Sequence, residues 1–211
     1  MERIKLILIG GGGHCKACID VIEQTNQFEI WGILDQPKLV GTNVLGYKII
    51  GTDTDITEYI TEGCHFLITI GQIKTASIRK RVFQDLEMKG ALFATIISKE
   101  AYVSKYAKIG KGTIVMHNSI VNAGAEVGEN CILNTGCGIE HDVFIGNHTH
   151  ISTQAVINGD CVIEDEVFIG SNATVSSQIT VAKNAVIGAG AIIYVNVEYP
   201  GVYVGNSIRK K

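Results

Sequence analysis

The segment around His141 carries the residues best suited to acid–base chemistry. His141 lies between two carboxylates, Glu140 and Asp142. An imidazole with a pKa near neutral can remove a proton from an attacking amine or hydroxyl, and a neighbouring carboxylate can orient one ring nitrogen and raise its basicity. From the residue pattern alone, an ordinary exposed histidine on a turn is the simpler interpretation. The sequence therefore predicts a candidate general base here, with that alternative beside it.

Two further histidines follow on alternate positions, His148 and His150. On one strand their side chains would face the same side, and together with His141 they would offer the three nitrogen ligands that zinc accepts. Ordinary surface histidines are the alternative for each of them. We expect no metal ion, and we assign no chemistry to His65 or His117.

The six cysteines do not predict disulfides. Cys131, Cys137 and Cys161 are separated by multiples of six residues, in positions where a thiol acts as a small apolar side chain. Cys15 and Cys18 have the spacing of a redox or metal motif, but no second pair lies nearby and both fit the inward face of a helix. We therefore expect reduced thiols, as in a cytosolic protein.

A glycine-rich turn follows the first apolar run of the chain. The run at residues 4–9 ends at four glycines, residues 10–13, and a helical pattern follows with four residues on one face: Cys15, Cys18, Ile19 and Ile22. This order begins a Rossmann-type unit, whose helix amino terminus offers N–H groups to phosphate. A second strand, 28–34, ends at Asp35, where a ribose-binding acid usually lies.

The fingerprint of a dinucleotide site is incomplete, however. When G-x-G-x-x-G is read from Gly10, Cys15 takes the place of the third glycine. The unit also spans only about 95 residues, too few for the two mononucleotide halves of an NAD domain. The sequence therefore favours a single-nucleotide or nucleotide-sugar site over NAD.

The rest of this unit is predicted from the same signals. Asp53 is expected to cap a short helix, and residues 64–70 to form a third strand that ends at Gly71. A longer helix follows and stops at Gly90, with three residues on its buried face: Ile78, Val82 and Leu86.

Two segments define the predicted boundaries. Residues 92–97 are expected to form a last strand that continues directly into the next unit, so we divide the chain into domains at 1–95 and 96–211. The loop at residues 36–51 is long and rich in Gly and Asn, and we expect it to close over a ligand.

A period of six organises the second domain. From Ile97 to Ile193 every sixth residue is Ile, Val or Leu, over seventeen positions. A mostly small residue precedes each by two, and Gly or Asn often follows directly, which tolerates the positive φ of tight corners. Large, small and corner residues in each hexad predict a parallel β-helix. Glycines at 110, 128 and 146 recur every eighteen residues, so three hexads make one coil, and residues 109–198 supply five coils.

Composition narrows the class of protein. The chain of 211 residues is 46% apolar and 18% charged, with a net charge of −3, which suits a folded core and gives no reason to expect nucleic acid. We identify no membrane span, because no apolar run approaches about 18 residues. The amino terminus lacks the pattern of a signal peptide. We expect a soluble, cytoplasmic protein.

The hexads resemble those of the left-handed β-helix acyltransferases, the hexapeptide-repeat family. Three segments resemble one subgroup in particular: Asn134-Thr135, Ile139-Glu140-His141-Asp142 and His150-Ile151-Ser152. The amino-terminal Gly-x-Gly-Gly-His and the strand-ending Asp35 are similar to the same subgroup. That subgroup acetylates bacterial surface sugars, either nucleotide-linked 4-amino-6-deoxy sugars or sialic acids.

The resemblance implies roles for particular residues. His141 would be the general base and Asp142 its orienting partner, although family members often carry Glu at the second position. Asn134 would contact the acceptor sugar, and six residues would bind the nucleotide sugar with it: Gly11, Gly12, Gly13, His14, Asp35 and Gly71. Acetyl-CoA would contact His150, Gly159, Gly170, Ser171, Ala189 and Gly190.

The function implied is an acetyl-CoA-dependent N-acetyltransferase of surface-glycan biosynthesis, active as a homotrimer with sites between subunits. A sialic acid O-acetyltransferase is the nearest alternative, because residues 151–160 resemble that branch at least as much. A non-catalytic or metal-binding β-helix is a further alternative.

Overall fold

The computed structural model describes residues 3–72 and 74–205. An α/β unit built on a six-stranded sheet comes first, and three long parallel sheets then stack two-residue strands into a β-helix. The predicted fold class, a small Rossmann-like unit followed by a left-handed β-helix, is confirmed.

Six strands form the sheet of the α/β unit: β1 (Ile4–Ile9), β2 (Phe28–Leu34), β3 (Asn43–Val44), β4 (Tyr47–Gly51), β5 (His65–Ile68) and β6 (Leu92–Phe93). They lie in the order β3-β4-β2-β1-β5-β6, and every pair is parallel except β3 with β4. The last four residues of β1 are buried. An uninterrupted apolar run is typical of a central parallel strand covered on both faces.

Three α-helices accompany the sheet, α1 (Gly13–Thr25), α2 (Ile56–Thr61) and α3 (Ser77–Met88), with short 3-10 helices at Pro37–Leu39 and Asp53–Asp55. The predicted stripe of α1 is buried, including both cysteines of the Cys15–Cys18 pair. α1 ends at Asn26, whose left-handed backbone, φ 57°, stops the helix. All six cysteines are buried and unbonded to one another.

Two details of the helix predictions are wrong. Ile78 is 54% exposed, and Arg79 takes the inward position instead, because α3 begins at Ser77 and its buried residues start with Arg79. Asp53 is not a cap. Thr52 forms a capping box with Asp55 at the start of the 3-10 helix, so Asp53 lies inside the first turn.

Three predicted segments also differ from the structure. The loop at 36–51 contains the first 3-10 helix and the hairpin β3–β4. The third strand stops at Ile68, where the Thr69 hydroxyl donates to the carbonyls of Ile9 and Gly10 and fastens this strand end to the glycine-rich turn. The strand predicted at 92–97 is two strands, because β6 stays in the first sheet while Ile96 and Ile97 begin the β-helix.

Three faces of two-residue strands make up the β-helix. The first face contains β7 (Ile96–Ile97), β10 (Ile114–Val115), β13 (Ile132–Leu133), β16 (His150–Ile151), β19 (Phe168–Ile169), β22 (Val186–Ile187) and β24 (Val202–Tyr203). The second contains β8 (Tyr102–Val103), β11 (Ile120–Val121), β14 (Gly138–Ile139), β17 (Val156–Ile157), β20 (Thr174–Val175) and β23 (Ile192–Ile193). The third contains β9 (Lys108–Ile109), β12 (Glu126–Val127), β15 (Phe144–Ile145), β18 (Val162–Ile163) and β21 (Thr180–Val181).

Each strand pairs in parallel with the strand 18 residues away, as Ile114 does with Ile132, so the three-hexad coil is confirmed. From Val115 to Ile187 every residue of the aliphatic series is at most 4% exposed. Ile97 is the exception at 38%, because the first coil has no coil beneath it. The stacked aliphatic residues therefore form the core of the β-helix.

The corner glycines serve a different purpose from the one predicted. The left-handed backbone occurs three residues after each aliphatic position, at residues such as Asn118, Asp142 and Asp160, and Gly110 and Gly146 do not have it. A Cβ on Gly110 would lie 2.5 Å from the carbonyl carbon of Gly128 in the next coil. Glycine is therefore required where coils stack closely, and Asn, Asp or Gly where the chain turns.

An apolar layer and a buried arginine join the two units. The inward residues of α1 pack with Ile96, Ile114 and Ile132, the outward residues of the first face. Beside this layer Arg79 is 1% exposed and donates from Nη1 to the carbonyls of Ile68 and Ile70 at 3.0 and 2.6 Å.

The same guanidinium reaches the β-helix. Its Nη2 donates to the backbone and side-chain oxygens of Asn130 at 2.9 and 2.8 Å. Burial lowers the pKa of Arg79 to about 10, which still leaves the group charged at neutral pH. One side chain therefore fixes the end of β5 against a corner of the β-helix. Among the described residues, no helix has the length and apolar character needed to cross a bilayer.

Replacing Arg79 by methionine should lower the free energy of unfolding by about 3 kcal/mol, because several buried acceptors lose their donor. Urea denaturation followed by circular dichroism measures this. The matched control is Arg81→Met on the exposed side of α3, which should stay within about 0.5 kcal/mol of wild type. Equal stability of Arg79→Met and wild type would contradict the role assigned to Arg79.

Candidate functional site

A cavity of about 1090 Å³ lies between the carboxyl ends of the parallel strands and the first face of the β-helix. Open α/β sheets bind ligands at this edge. The polar and glycine residues of its wall come from both units: Gly10, Gly12, Gly13, His14, Asp35, Gln36, Thr52, Asp53, Thr54, Gly71, Gln72, Arg81, Asn134 and His150. Seven of the residues predicted to bind substrate or cofactor therefore share one cavity.

The glycine-rich turn presents bare backbone to this cavity. Gly10 has a φ of 102°, and a Cβ there would lie 2.5 Å from the Ile70 side chain. Beside Gly12 and Gly13 the space is open, and no side chain caps the start of α1. The N–H groups of the first helical turn are therefore accessible to an anion, as at other phosphate-binding helix starts.

Asp35 is tied to the backbone of the same turn. Its Oδ2 accepts from the Gly11 N–H at 2.5 Å, and its Oδ1 accepts from the Gln36 N–H at 2.6 Å. The carboxylate thus orders the glycine-rich turn while it lines the cavity. The predicted contact with a ribose hydroxyl would have to share these oxygens.

His150 connects the β-helix to the α/β unit inside the cavity. Its Nδ1 must donate to the Gln72 carbonyl at 2.8 Å, because a carbonyl only accepts, so Nε2 accepts from the Asn134 amide at 3.2 Å. Burial lowers the pKa of His150 to about 4. The ring is therefore neutral and held in one tautomer beside Asn134.

His14 faces the same end of the cavity, with its ring centroid 6.4 Å from that of His150. Burial, and then the charge of Arg79, lower the pKa of His14 to about 3. Its Nε2 lies 3.4 Å from the Cys18 sulfur. Two neutral imidazoles, and no cationic pair, thus line the cavity where it meets the β-helix.

The candidate general base lies outside this cavity. We call the edge between the first and second faces the first corner (Asn134, Ser152, Gly170, Ser171, Ala189, Gly190) and the edge between the second and third faces the second corner (His141, Asp142, Gly159, Asp160). At the second corner the His141 side chain is 61% exposed, and its Nδ1 donates to Asp142 Oδ2 at 3.0 Å. This hydrogen bond is the largest cause that raises the pKa of His141, and it leaves Nε2 as the basic nitrogen.

Two glycines of the adjacent coils make room for this pair. A Cβ on Gly159, 18 residues after His141, would lie 2.6 Å from both Cε1 and Nε2 of the imidazole. A Cβ on Gly124, 18 residues before Asp142, would clash with its carboxylate. Glu140 accepts instead from the Asn122 amide at 2.8 Å. Asp142 is thus the partner of His141, although it is one methylene shorter than Glu.

The other predicted acetyl-CoA residues fall on the two corners. Gly170, Ser171, Ala189 and Gly190 follow first-face strands, and the Ser171 hydroxyl pairs with that of Ser152 at 2.9 Å. Gly159 lies on the second corner with His141. Within one chain, the six predicted acetyl-CoA residues do not form a single surface, and His150 lies apart from the rest in the cavity.

The three-histidine zinc site considered from the sequence does not form. His148 is not on the strand of His150; it occupies a left-handed corner, φ 58°, where it pairs with the Asn130 amide at 3.0 Å and packs against Phe83. Within 3–72 and 74–205, the side chains that converge closely enough for a metal ion are His141, Asp142 and Asp160, all exposed.

Several cavity residues were missed by the sequence analysis. Gln72, Arg81 and Thr52–Thr54 line the cavity. Gln72 directly follows the predicted strand-ending glycine, so its position was readable, but nothing local indicated that its side chain would be buried. The inward position of Arg79 runs against the usual exposure of arginine.

Known protein families match most of the chain. The model of the PglD N-terminal domain matches residues 5–86, and the model of the bacterial transferase hexapeptide, six repeats, matches 106–141, 142–177 and 160–195. A curated protein of Acanthamoeba polyphaga mimivirus, itself uncharacterised, is 37% identical over 122 residues, which are 58% of this chain and 23% of that protein. The chain thus aligns with under a quarter of the length of that relative.

Solved structures resemble the whole chain. The acetyltransferase domain of PglB from Neisseria gonorrhoeae FA1090, in complex with acetyl coenzyme A, is 27% identical, with a TM-score of 0.90 and 97% of each chain covered. PerB from Caulobacter crescentus, in complex with CoA and GDP-perosamine, is 24% identical, with a TM-score of 0.88 and 95% and 94% of the two chains covered. The second likeness is one of fold. With a PglD-type amino-terminal domain followed by transferase hexapeptide repeats, the chain belongs to the hexapeptide-repeat acetyltransferase family.

Proposed function

We propose that the protein transfers the acetyl group of acetyl-CoA to the 4-amino group of a nucleotide-linked 4-amino-6-deoxy sugar in surface-glycan synthesis. The observation that carries the proposal is the cavity that joins a phosphate-binding type of glycine turn to Asn134 and His150 of the β-helix. The likeness to a PglB domain bound to acetyl coenzyme A supports the acetyl donor.

The charges around the cavity support a nucleotide sugar with a neutral sugar ring. Free N–H groups at the start of α1 suit a diphosphate, and we assign the nucleotide to that end: Gly11, Gly12, Gly13, His14, Asp35 and Gly71. At the other end His14 and His150 are neutral and offer no countercharge. This favours an amino sugar over sialic acid, whose carboxylate would need one.

In the proposed reaction His141 takes a proton from the 4-amino group as nitrogen attacks the thioester carbonyl. The carbon–nitrogen bond forms, the carbon–sulfur bond breaks, and the proton passes to the departing CoA thiolate. Asp142 holds the Nδ1–H of the imidazole, which keeps Nε2 free to accept the proton and stabilises the imidazolium that results.

Transfer is direct, without an acyl-enzyme. The cysteine nearest the base in sequence, Cys137, is 0% exposed in the β-helix core, and burial raises its pKa to about 12. A buried thiol with this pKa is a poor nucleophile. The amine itself is therefore the group that attacks acetyl-CoA.

We further propose a homotrimer with sites between subunits. Asn134 and His141 lie on different corners, separated by β14 and thus by a chain length of up to about 20 Å, too far to contact one amino group together. The outward residues of the second face carry no charge, and Tyr102, Ile120 and Ile192 are exposed there. A groove between two such faces would bring the first corner of one chain to the second corner of another.

Acetyl-CoA would lie in that groove, along Gly159, Gly170, Ser171, Ala189 and Gly190, with His150 near its thioester. The six unbonded cysteines are consistent with a reducing compartment, and we propose that the enzyme acts in the cytoplasm.

The experiment that tests the function is thiol release from acetyl-CoA with a panel of UDP-, GDP- and dTDP-linked 4-amino-6-deoxy sugars beside free and CMP-linked sialic acid. We expect turnover with an amino sugar, reduced about 10²- to 10⁴-fold in His141→Ala because the general base is lost. His65→Ala, at the amino end of β5 and away from the cavity, should retain activity. Turnover with sialic acid alone would contradict the proposal.

The Asp142→Asn variant should move the pH profile. The base acts when deprotonated, so kcat/KM rises as pH passes through the pKa of His141, which Asp142 raises. Without that carboxylate the rising limb should shift to lower pH. Asn tolerates the left-handed backbone at this corner, so strain is avoided. Asp160→Asn, also left-handed and farther down the order of causes, should shift the limb less. An unmoved limb in Asp142→Asn would exclude His141 as the titrating base.

Mixed oligomers test the shared site. His141→Ala and Asn134→Ala should each be nearly inactive, and an equimolar mixture refolded together should recover about a quarter of wild-type activity, because random assortment completes that share of sites. Light scattering of the wild type should give the mass of three chains. A monomeric mass, or a mixture no more active than its components, would count against a site between subunits.

A further inference from the structure

The side chain of Gln72 is buried at the junction of the two units with neither atom of its amide paired. Gln72 is 3% exposed, and no partner for its Oε1 or Nε2 occurs within the described ranges. Buried polar groups are almost always hydrogen-bonded, since an unpaired one opposes folding. In that part of the chain the one other buried side-chain atom without a partner is Nε of Arg79, whose remaining nitrogens are bonded.

The backbone around Gln72 is held from two sides. Its carbonyl accepts from His150 Nδ1 at 2.8 Å, and the carbonyl of Ile70 accepts from Arg79 at 2.6 Å. Gln72 lines the cavity together with Asn134 and His150. Because the backbone is fixed, rotation about the side-chain torsions is enough to turn the amide towards a ligand in the cavity.

The polar groups beside Gln72 are already engaged. His150 uses both ring nitrogens, and the Asn134 side-chain oxygen accepts from the Thr135 N–H at 2.8 Å. Both nearby imidazoles are neutral, so this end offers no charge to a phosphate or carboxylate. What it does offer is one unused donor and one unused acceptor on a single amide, which match the hydroxyl groups of a sugar.

We propose that Gln72 recognises the sugar of the bound nucleotide sugar, by hydrogen bonds between its side-chain amide and ring hydroxyl groups. The inference rests on the proposed function and adds a specificity-determining residue to it. The nucleotide, at the glycine-rich end, is not contacted by this amide. Gln72 should therefore contribute to affinity for the sugar and not for the nucleoside diphosphate.

The test compares wild type with Gln72→Met, which keeps the side-chain length and removes the amide. Isothermal titration calorimetry measures affinity for UDP, GDP and dTDP and for the corresponding 4-amino-6-deoxy sugars. We expect the preferred nucleotide sugar to bind about tenfold or more weakly to the variant, because two hydrogen bonds are lost, while its nucleoside diphosphate binds within about twofold of wild type. The KM for acetyl-CoA should not change.

Thermal unfolding separates recognition from a structural role. An unpaired amide adds nothing to the empty protein, so Gln72→Met should melt at the wild-type temperature or above it. The matched control is Gln36→Met at the opposite end of the cavity, which should change affinity for the nucleoside diphosphate and the nucleotide sugar by one common factor.

Three results would overturn the inference. Equal affinity of Gln72→Met and wild type for the nucleotide sugar would exclude recognition by the amide. A lower melting temperature with an equal loss of both ligands would make Gln72 structural. A higher KM for acetyl-CoA alone would assign the amide to the cofactor. Wild-type protein that binds none of the nucleotide sugars would instead refute the proposed function, and this inference with it.

Discussion

The need to close each coil in 18 residues governs the position of every functional side chain on the β-helix. Parallel pairing at that spacing stacks equivalent residues of successive coils, as Gly138 with Val156 and Val156 with Thr174. A side chain at a corner therefore meets the residues 18 positions before and after it. His141 and Asp142 can lie flat on the β-helix because those positions are Gly159 and Gly124. Core closure and the geometry of the candidate base are thus one constraint.

The cavity exists because the α/β unit is fixed rigidly to the first face. Arg79 fastens the end of β5 to Asn130, and α1 packs its apolar side on the outward isoleucines. The carboxyl edge of the sheet is thereby held beside Asn134 and His150. A buried guanidinium bonded only to neutral oxygens is costly to desolvate, so its retention indicates that the relative position of the two units matters.

Histidines in two environments have opposite properties. His14 and His150 are buried in the cavity, and desolvation keeps them neutral and fixed in orientation. His141 is exposed at a corner, and its carboxylate partner raises its pKa. Environments that push the pKa values of like groups apart are typical of active sites in which one group positions and another transfers protons. Here the two kinds lie on different edges of the β-helix.

The sequence by itself determined the repeating architecture, because the hexad pattern, the glycine-rich turn and the His141–Asp142 pair are local and each carries its own structural signal. Only the tertiary structure decided the chemistry of the cavity. The hydrogen bond from His150 to Gln72 spans 78 residues, and that from Arg79 to Asn130 spans 51. No local period encodes such distances, so an isolated helix pattern assigned the inward position to Ile78. Burial, tautomer and pKa depend on neighbours that only folding brings together.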